Sequence, residues 1–163
     1  MSRKSDKNMR TDFEGFITDV LRDDNEMLQN ALDFAAYLRA NEMLPGGEHG
    51  AIDYKDECLC YMHLDGLNEE PGPWTIWIEG GDYSSEHEDV PMNERMKEIA
   101  WAHVNFCVSC GCGSQPGMHK TIFRKEFDNV CNADMAFYKP DAETLECVKK
   151  LLEMRKNEIS NLD

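Results

Sequence analysis

Three cysteines lie within six positions of one another in the second half of the chain, where a cluster of thiols could bind a metal ion. Cys107, Cys110 and Cys112 follow the spacing C-x-x-C-x-C, and Cys131 lies nineteen positions after the last of them. Two thiolates at this spacing can bind one ion because a tight turn, which intervening glycines allow, brings both sulfur atoms to the same side. Zn²⁺ accepts a tetrahedral shell made entirely of thiolates. The pattern therefore predicts a structural zinc site with these four cysteines as ligands.

His103 is an alternative fourth ligand for the same ion. A helix predicted over residues 92–105 would place His103 one turn before Cys107, so that both side chains face the same way. A single histidine on an apolar helix face is also typical of a packed core residue whose ring nitrogens are hydrogen-bonded. The sequence leaves both interpretations open.

The same cysteines allow a redox interpretation, in which Cys107 and Cys110 form a dithiol pair and Cys112 is a resolving thiol. A reactive C-x-x-C pair normally lies at a helix N-terminus, where the positive end of the helix dipole stabilises the thiolate. Here the motif follows the C-terminus of the predicted helix. The sequence therefore favours a non-catalytic metal-binding or partner-binding module, with a thiol-dependent redox enzyme as the alternative and ordinary loop packing as a third interpretation.

The net charge of the chain limits its partners. Seventeen Lys and Arg residues and 32 Asp and Glu residues give a formal net charge of −15, and no local cluster of basic residues offsets it. Such a surface repels phosphate backbones and anionic membranes, so neither nucleic acid nor a membrane is expected as a partner. The expected partner is a protein or a small molecule, whose identity the sequence does not give.

The seven cysteines are expected to be reduced thiols. Their number is odd, the chain is long enough to fold around a hydrophobic core, and no apolar run reaches the ~18 residues of a membrane span. The first residues also lead into no hydrophobic signal sequence. A cytoplasmic location is therefore expected, and clustered thiols in that compartment point to metal binding or redox chemistry.

The remaining sequence predicts one α+β domain over residues 11–163, preceded by a disordered tail over residues 1–10. Apolar residues recur at helical spacing in four segments, and alternating or β-branched residues mark five strands. We expect an antiparallel sheet packed against three to four helices, with the first helix, capped by Thr11 and Glu14, attached loosely. The helices are predicted at 11–22, 25–41, 92–105 and 141–157, and the strands at 51–54, 58–64, 74–79, 121–123 and 135–138.

Several other residues that can carry chemistry are better explained by packing. Cys58 and Cys60 share one face of a predicted strand, and Cys147 lies in the last helix, so all three are expected in the core. Trp74 and Trp77 lie on opposite faces of one strand, so one is expected in the core and the other could line a pocket or interface, although two packed aromatics are the favoured interpretation. The chain has no glycine-rich phosphate loop, G-x-S-x-G elbow or H-E-x-x-H pair.

Four segments of the C-terminal half carry a resemblance: AWAHVN at 100–105, the Cys-rich loop, TIF-x-KEFDNVC at 121–131 and PDAETLE at 140–146. Over residues 50–158 the chain resembles a family of small uncharacterised bacterial proteins, and this resemblance implies no established activity. In the order helix, antiparallel strands, helix, it also resembles the frataxin-like small α+β domains, some of which handle iron through acidic surfaces. No functional residue is carried over from those domains, because no motif matches position by position.

Overall fold

The structure, a computed structural model, describes residues 3–46, 48–64, 73–108 and 117–162. In these residues five helices and seven strands form. No helix in these segments is both long and apolar enough to cross a membrane. In chain order the elements are α1 (Arg3–Thr11), α2 (Phe13–Leu21), α3 (Asn25–Ala40), β1 (Leu44–Pro45), β2 (Ala51–Tyr54), β3 (Glu57–Leu64), β4 (Trp74–Ile78), α4 (Glu94–Ala102), β5 (Val104–Phe106), β6 (Met118–Ile122), β7 (Lys125–Tyr138) and α5 (Ala142–Ser160).

The strands form one antiparallel sheet in the order β1-β2-β3-β4-β7-β5, and β6 pairs with β7 off this path. Val130 of β7 pairs with one residue of β6 and one of β5, and Met135 pairs with one residue of β4 and one of β5. Since a strand has only two edges, β6 and β4 follow one another along one edge of β7, and β5 lies on the other edge. The predicted α+β fold with an antiparallel sheet is confirmed.

The helices and the sheet bury one hydrophobic core. Helix α5 contacts α3, α4 and strand β3. Trp74 is fully buried, and its ring lies 6.2 Å from that of Phe34 on α3. Trp77, on the opposite face of β4, is half-buried, and its ring meets the His63 ring edge-on at 4.3 Å. Both tryptophans are therefore packed against other side chains, Trp74 in the core and Trp77 against His63.

Polar side chains cap the N-termini of four helices. Asp24, Asn93 and Asp141 each precede a helix, and the side chain of each accepts a hydrogen bond from the backbone amide three residues later, at 2.8–2.9 Å. The helix predicted over 11–22 forms as α2 over Phe13–Leu21, and Thr11 is instead the last residue of α1. Asp12 caps α2 by accepting from the Gly15 amide at 3.1 Å, so the prediction of a cap at Thr11 is wrong.

Residues 3–10, predicted as part of a disordered tail, belong to helix α1. Met9 is 1% exposed and joins the same core as Phe13 and Ile17. A single apolar residue among polar neighbours gives no helical periodicity, so this helix has no clear signal in the sequence. Burial against the rest of the domain stabilises it instead.

Helix α4 ends at Ala102, three residues earlier than predicted, and the chain continues as strand β5. Val104 pairs with Met135, and Phe106 pairs with Val130. Valine and phenylalanine both favour strands, and the pairing partners lie more than twenty positions away in sequence. Long-range pairing therefore overrides the helical spacing that the sequence displays around His103.

Candidate metal-binding site

The structure describes two of the four predicted thiol ligands. Cys107 directly follows β5 and is 5% exposed, and Cys131 lies within β7 and is half-buried. Cys110 and Cys112 lie outside the described residues. Geometry can therefore be given for the two ends of the predicted ligand set, Cys107 and Cys131.

Asn129 holds both ends of the segment that carries the clustered cysteines. Its backbone carbonyl accepts from the Cys107 amide at 2.7 Å, and its side-chain Nδ2 donates to the Cys107 carbonyl at 3.0 Å. Its side-chain Oδ1 accepts from the Gly117 amide at 2.8 Å. We call this set of three residues the Asn129 clamp. It places the two ends of the segment against β7, two residues before Cys131.

The clamp depends on an irregularity in β7. Between the paired positions Met118–Val130 and Lys120–Phe127, β7 contains one residue more than β6, and Asn129 has a positive φ of 59°. This left-handed conformation is unfavourable for most side chains, but asparagine adopts it more readily than others. The bulge turns the Asn129 side chain toward the ends of the Cys-rich segment.

Gly117 is required by the close approach of the clamp. A Cβ atom at position 117 would lie 2.6 Å from the carbonyl carbon of Asn129 and 2.8 Å from the carbonyl oxygen of Val130. Both are backbone atoms of a paired strand, so they cannot move aside without disturbing the sheet. The sequence alone singles out neither Gly117 nor Asn129.

Cys131 begins a second irregular stretch of β7. Four residues, 131–134, separate Val130 from Met135, whereas Asn105 alone separates their partners on β5. The Asn105 side chain bridges this gap by donating to the Ala133 carbonyl at 3.0 Å, and the Cys131 carbonyl accepts from the Lys120 ammonium at 3.4 Å. Because regular alternation is broken here, the direction of the Cys131 side chain could not be predicted from the strand period.

His103 and Cys107 are not joined by a helical turn, which was the reason to consider His103 as an alternative ligand. It is the C-terminal cap of α4, and three residues of β5 separate it from Cys107. Extended chain advances ~3.3 Å per residue, so these three residues span about 10 Å instead of one helical turn. The His103 Nδ1 lies 2.7 Å from the Ile99 carbonyl, and the ring stacks on Phe137 at 4.8 Å. These contacts are typical of a packed core histidine.

Of the other described cysteines, Cys60 and Cys147 lie in the core as predicted, whereas Cys58 does not. Cys60 and Cys147 are fully buried, and Cys58 is half-buried. Burial raises the pKa of the Cys147 thiol to about 12, and its Sγ lies 3.4 Å from the Met96 carbonyl. Burial also raises the pKa of both Cys58 and Cys60. These thiols are therefore protonated at neutral pH, which disfavours nucleophilic chemistry.

Within the part of the chain that the structure describes, no three His, Cys, Asp or Glu side chains come together as a metal site. The fold places the protein in the class of small α+β domains with an antiparallel sheet. Comparisons with family models, curated proteins and solved structures give no match. The functional argument therefore depends on the residues of this chain alone.

Proposed function

We propose that this protein is a non-catalytic metal-binding module in which one structural Zn²⁺ is bound by Cys107, Cys110, Cys112 and Cys131. The ion would cross-link the segment after β5 to strand β7 and would stabilise the fold rather than react. The function of such a module is to present a rigid surface to a protein or small-molecule partner.

The Asn129 clamp is the single observation that supports this proposal most. A metal site made of a short cluster and one distant ligand requires that the chain bring the two together before the ion binds. Three hydrogen bonds hold Cys107 and Gly117 to Asn129, which is two residues from Cys131. The hydrogen bonds thereby bring the ends of the Cys-rich segment close to the fourth ligand before any metal binds.

Burial of Cys107 favours this proposal over a thiol-dependent redox enzyme. A thiol that exchanges with a substrate disulfide must be reached by that substrate, but Cys107 is only 5% exposed. A structural zinc ligand, in contrast, is normally shielded from solvent. The motif also directly follows strand β5 rather than a helix, so among the described residues no helix end adjoins its first thiol.

The proposal requires reduced thiols, because cysteine binds zinc as its thiolate and a disulfide cannot provide one. It is therefore consistent with a reducing compartment such as the cytoplasm. The resemblance to a family of small bacterial proteins stays a proposal, and it adds no activity to this one.

The experiment is elemental analysis of protein expressed in zinc-sufficient medium, combined with thermal unfolding of single variants. We expect about one zinc ion per chain in the unaltered protein. Cys131→Ser should release the zinc and destabilise the fold by more than ~1 kcal/mol, because the ion joins two distant segments. Cys107→Ser should do the same. In the redox alternative, Cys131→Ser would spare disulfide exchange, whereas Cys107→Ser would abolish it.

Cys147→Ser is the matched control. Cys147 is fully buried far from the cluster in sequence, and a serine hydroxyl could still donate to the Met96 carbonyl that now faces the thiol. Its zinc content should equal that of the unaltered protein. A metal-free sample that is fully folded would contradict the proposal, and unchanged zinc in Cys131→Ser would remove Cys131 from the site.

A further inference from the structure

A row of side chains on the sheet points away from the helices. Helix α1 contacts α2, α2 contacts α3, α3 contacts α5 and α5 contacts α4, so the helices form one connected layer. Helix α5 also contacts β3, and Phe34 of α3 lies against Trp74 of β4, so this layer covers the side of the sheet that forms the core. Because side chains alternate along a strand, Tyr61 of β3 and Trp77 of β4 point to the opposite side.

Tyr61 and Trp77 lie side by side in this row. They are direct partners in the pairing of β3 with β4, and Ala51 of β2 and Ala136 of β7 extend the row on either side. Both aromatic rings are half-buried, and neither belongs to the hydrophobic core. We call these four residues the outer row. Since the flanking alanines are small, the two rings form the largest apolar surface of the row.

The two rings of the outer row differ from other aromatic rings of the protein in their charged neighbours. Lysine Nζ atoms lie 5.2–5.6 Å from the ring centroids of four other residues, which are Tyr37, Tyr54, Trp101 and Phe127. Among the described residues, no lysine or arginine lies over Tyr61 or Trp77 in this way. Tryptophan is the aromatic side chain that attracts a cation most strongly. The outer row can therefore accept a cation from outside the chain.

The strands around the outer row carry an excess of negative charge. Residues 48–64 and 73–82 contain six Asp or Glu residues and one Lys. Burial raises the pKa of Tyr61 to about 12, and the nearby carboxylates of Glu79 and Asp53 add to this shift. Burial also raises the pKa of Asp53, and no described basic group opposes that effect. The charge of this surface is thus complementary to that of a basic partner.

We propose that the outer row docks a basic, extended segment of a partner protein, with the guanidinium group of an arginine stacked on Trp77 and Tyr61 and paired with a neighbouring carboxylate. In requiring a protein partner this inference rests on the function proposed above, but it does not require the zinc ion.

Three properties of the outer row favour this occupant. A planar guanidinium can stack on an aromatic ring and bond to a carboxylate at the same time, which the compact ammonium of lysine does less well. An open sheet face covers too little of a small molecule, whereas a peptide segment can extend across several strands. A second copy of the chain would bring the same excess of carboxylates against this face, and like charges oppose that contact.

The probe is a short peptide in which arginine alternates with threonine, titrated into the full chain at pH 7 and constant ionic strength. Two matched peptides replace every arginine by lysine or by citrulline, the uncharged isostere of arginine. Binding is followed by NMR at the Trp77 indole N–H and at the amides of β3 and β4. We expect saturable shifts with the arginine peptide, binding at least about threefold weaker with lysine, and no saturable shift with citrulline.

Single variants test whether the outer row itself binds the arginine peptide. Trp77→Leu keeps an apolar side chain but removes the ring, so it should weaken binding roughly tenfold. Glu79→Gln removes one carboxylate and should weaken binding roughly fivefold. Glu126→Gln is the matched control for charge, since Glu126 is exposed at the other end of β7, and its affinity should stay within about twofold of the unaltered protein.

Equal binding of the arginine and citrulline peptides would overturn the proposal, because charge would then have no role. An equal loss in Glu79→Gln and Glu126→Gln would mean diffuse attraction and would overturn it as well. If Trp77→Leu fails to fold, unchanged affinity in Glu79→Gln alone would overturn it.

Two further measurements separate this proposal from its alternatives. Sedimentation of the chain without peptide tests the second copy, and a dimer that Trp77→Leu dissociates would overturn docking of a basic partner. Zinc content is measured on the same samples, so that failure of the metal site and failure of peptide docking are told apart.

Discussion

The two halves of strand β7 differ in burial and in the chemistry that they can carry. Residues 134–137 are all buried, with β4 on one side and β5 on the other. Residues 125–129 are exposed or half-buried, and they pair with β6 alone. The buried half has a regular register with β4, whereas the exposed half contains the bulge at Asn129.

This difference shows where the chain can accommodate polar residues with unusual backbone conformations. In the buried half, close packing favours apolar residues in regular strand geometry, and the one polar residue, Asp134, is ion-paired with Lys120. In the exposed half, few core contacts are lost when the backbone bulges. The candidate metal-binding site therefore lies where β7 leaves the core, and the buried half provides the fixed frame for it.

The largest loss of stability should come from truncating a core side chain in the buried half of β7. Phe137 is fully buried in the core, so Phe137→Ala should lower the free energy of unfolding by about 3–5 kcal/mol. Phe127 is half-buried in the other half of the same strand, and Phe127→Ala should cost about 1 kcal/mol or less. Urea unfolding of both variants measures the difference. Equal losses would show that the two halves contribute alike to stability.

An intermediate effect should come from the Asn129 clamp. Asn129→Ala removes two side-chain hydrogen bonds and places alanine at a positive φ, so we expect a loss of about 1–2 kcal/mol and weaker zinc retention. Asn129→Gly adopts the same backbone conformation without strain, so its stability should lie between those of the unaltered protein and Asn129→Ala. Thermal unfolding and elemental analysis measure both properties. Asn132→Ala, at an exposed position of the same strand, should change neither.

The smallest effect should be a pH dependence of the exposed β6–β7 hairpin. The His119 Nδ1 lies 2.6 Å from Asp128, and this hydrogen bond, with a weaker contribution from Glu126, raises the pKa of His119 above its usual 6.5. Because the folded-state pKa is the higher one, the pairing stabilises the hairpin fully below pH ~6.5, and this contribution is lost as the pH rises through the folded value.

An NMR titration of His119 tests this directly. Asp128→Asn should bring its pKa back toward the usual value, and Glu126→Gln should lower it less, because that carboxylate lies 3.6 Å from Nε2. An unchanged titration in Asp128→Asn would contradict the assignment of the shift.

Local signals in the sequence predicted much of the fold. The helices over 25–41 and 141–157 appear within three residues of the predicted bounds, because Asp24 and Asp141 cap them and apolar residues repeat along one face. The strands over 51–54, 58–64 and 74–79 also follow local alternation. What the sequence did not predict depends on distant partners: the end of α4, the strand character of Val104 and Phe106, and the burial of Met9.

The candidate site was predicted by residue type but not by geometry. The spacing of the cysteines identified Cys107 and Cys131 as neighbours of one ion, a prediction that the described residues leave untested. Asn129 and Gly117 were missed because their roles arise only when β5, β6 and β7 meet. Asparagine adopts the left-handed conformation more readily than most residues, but β7 contains both Asn129 and Asn132, and only Asn129 has a positive φ.

The Asn129 clamp also closes the loop formed by the chain between its two ends. Nine residues, 108–116, separate Cys107 from Gly117, and one side chain fixes both ends. The entropy of closing a flexible loop grows slowly with length, by ~0.6 kcal/mol for each doubling. With its base fixed in this way, the part of the segment that follows Cys112 can change in length at little cost in closure entropy. Insertions after Cys112 should therefore be tolerated, whereas a replacement loop without Cys110 and Cys112 should lose the proposed zinc ion.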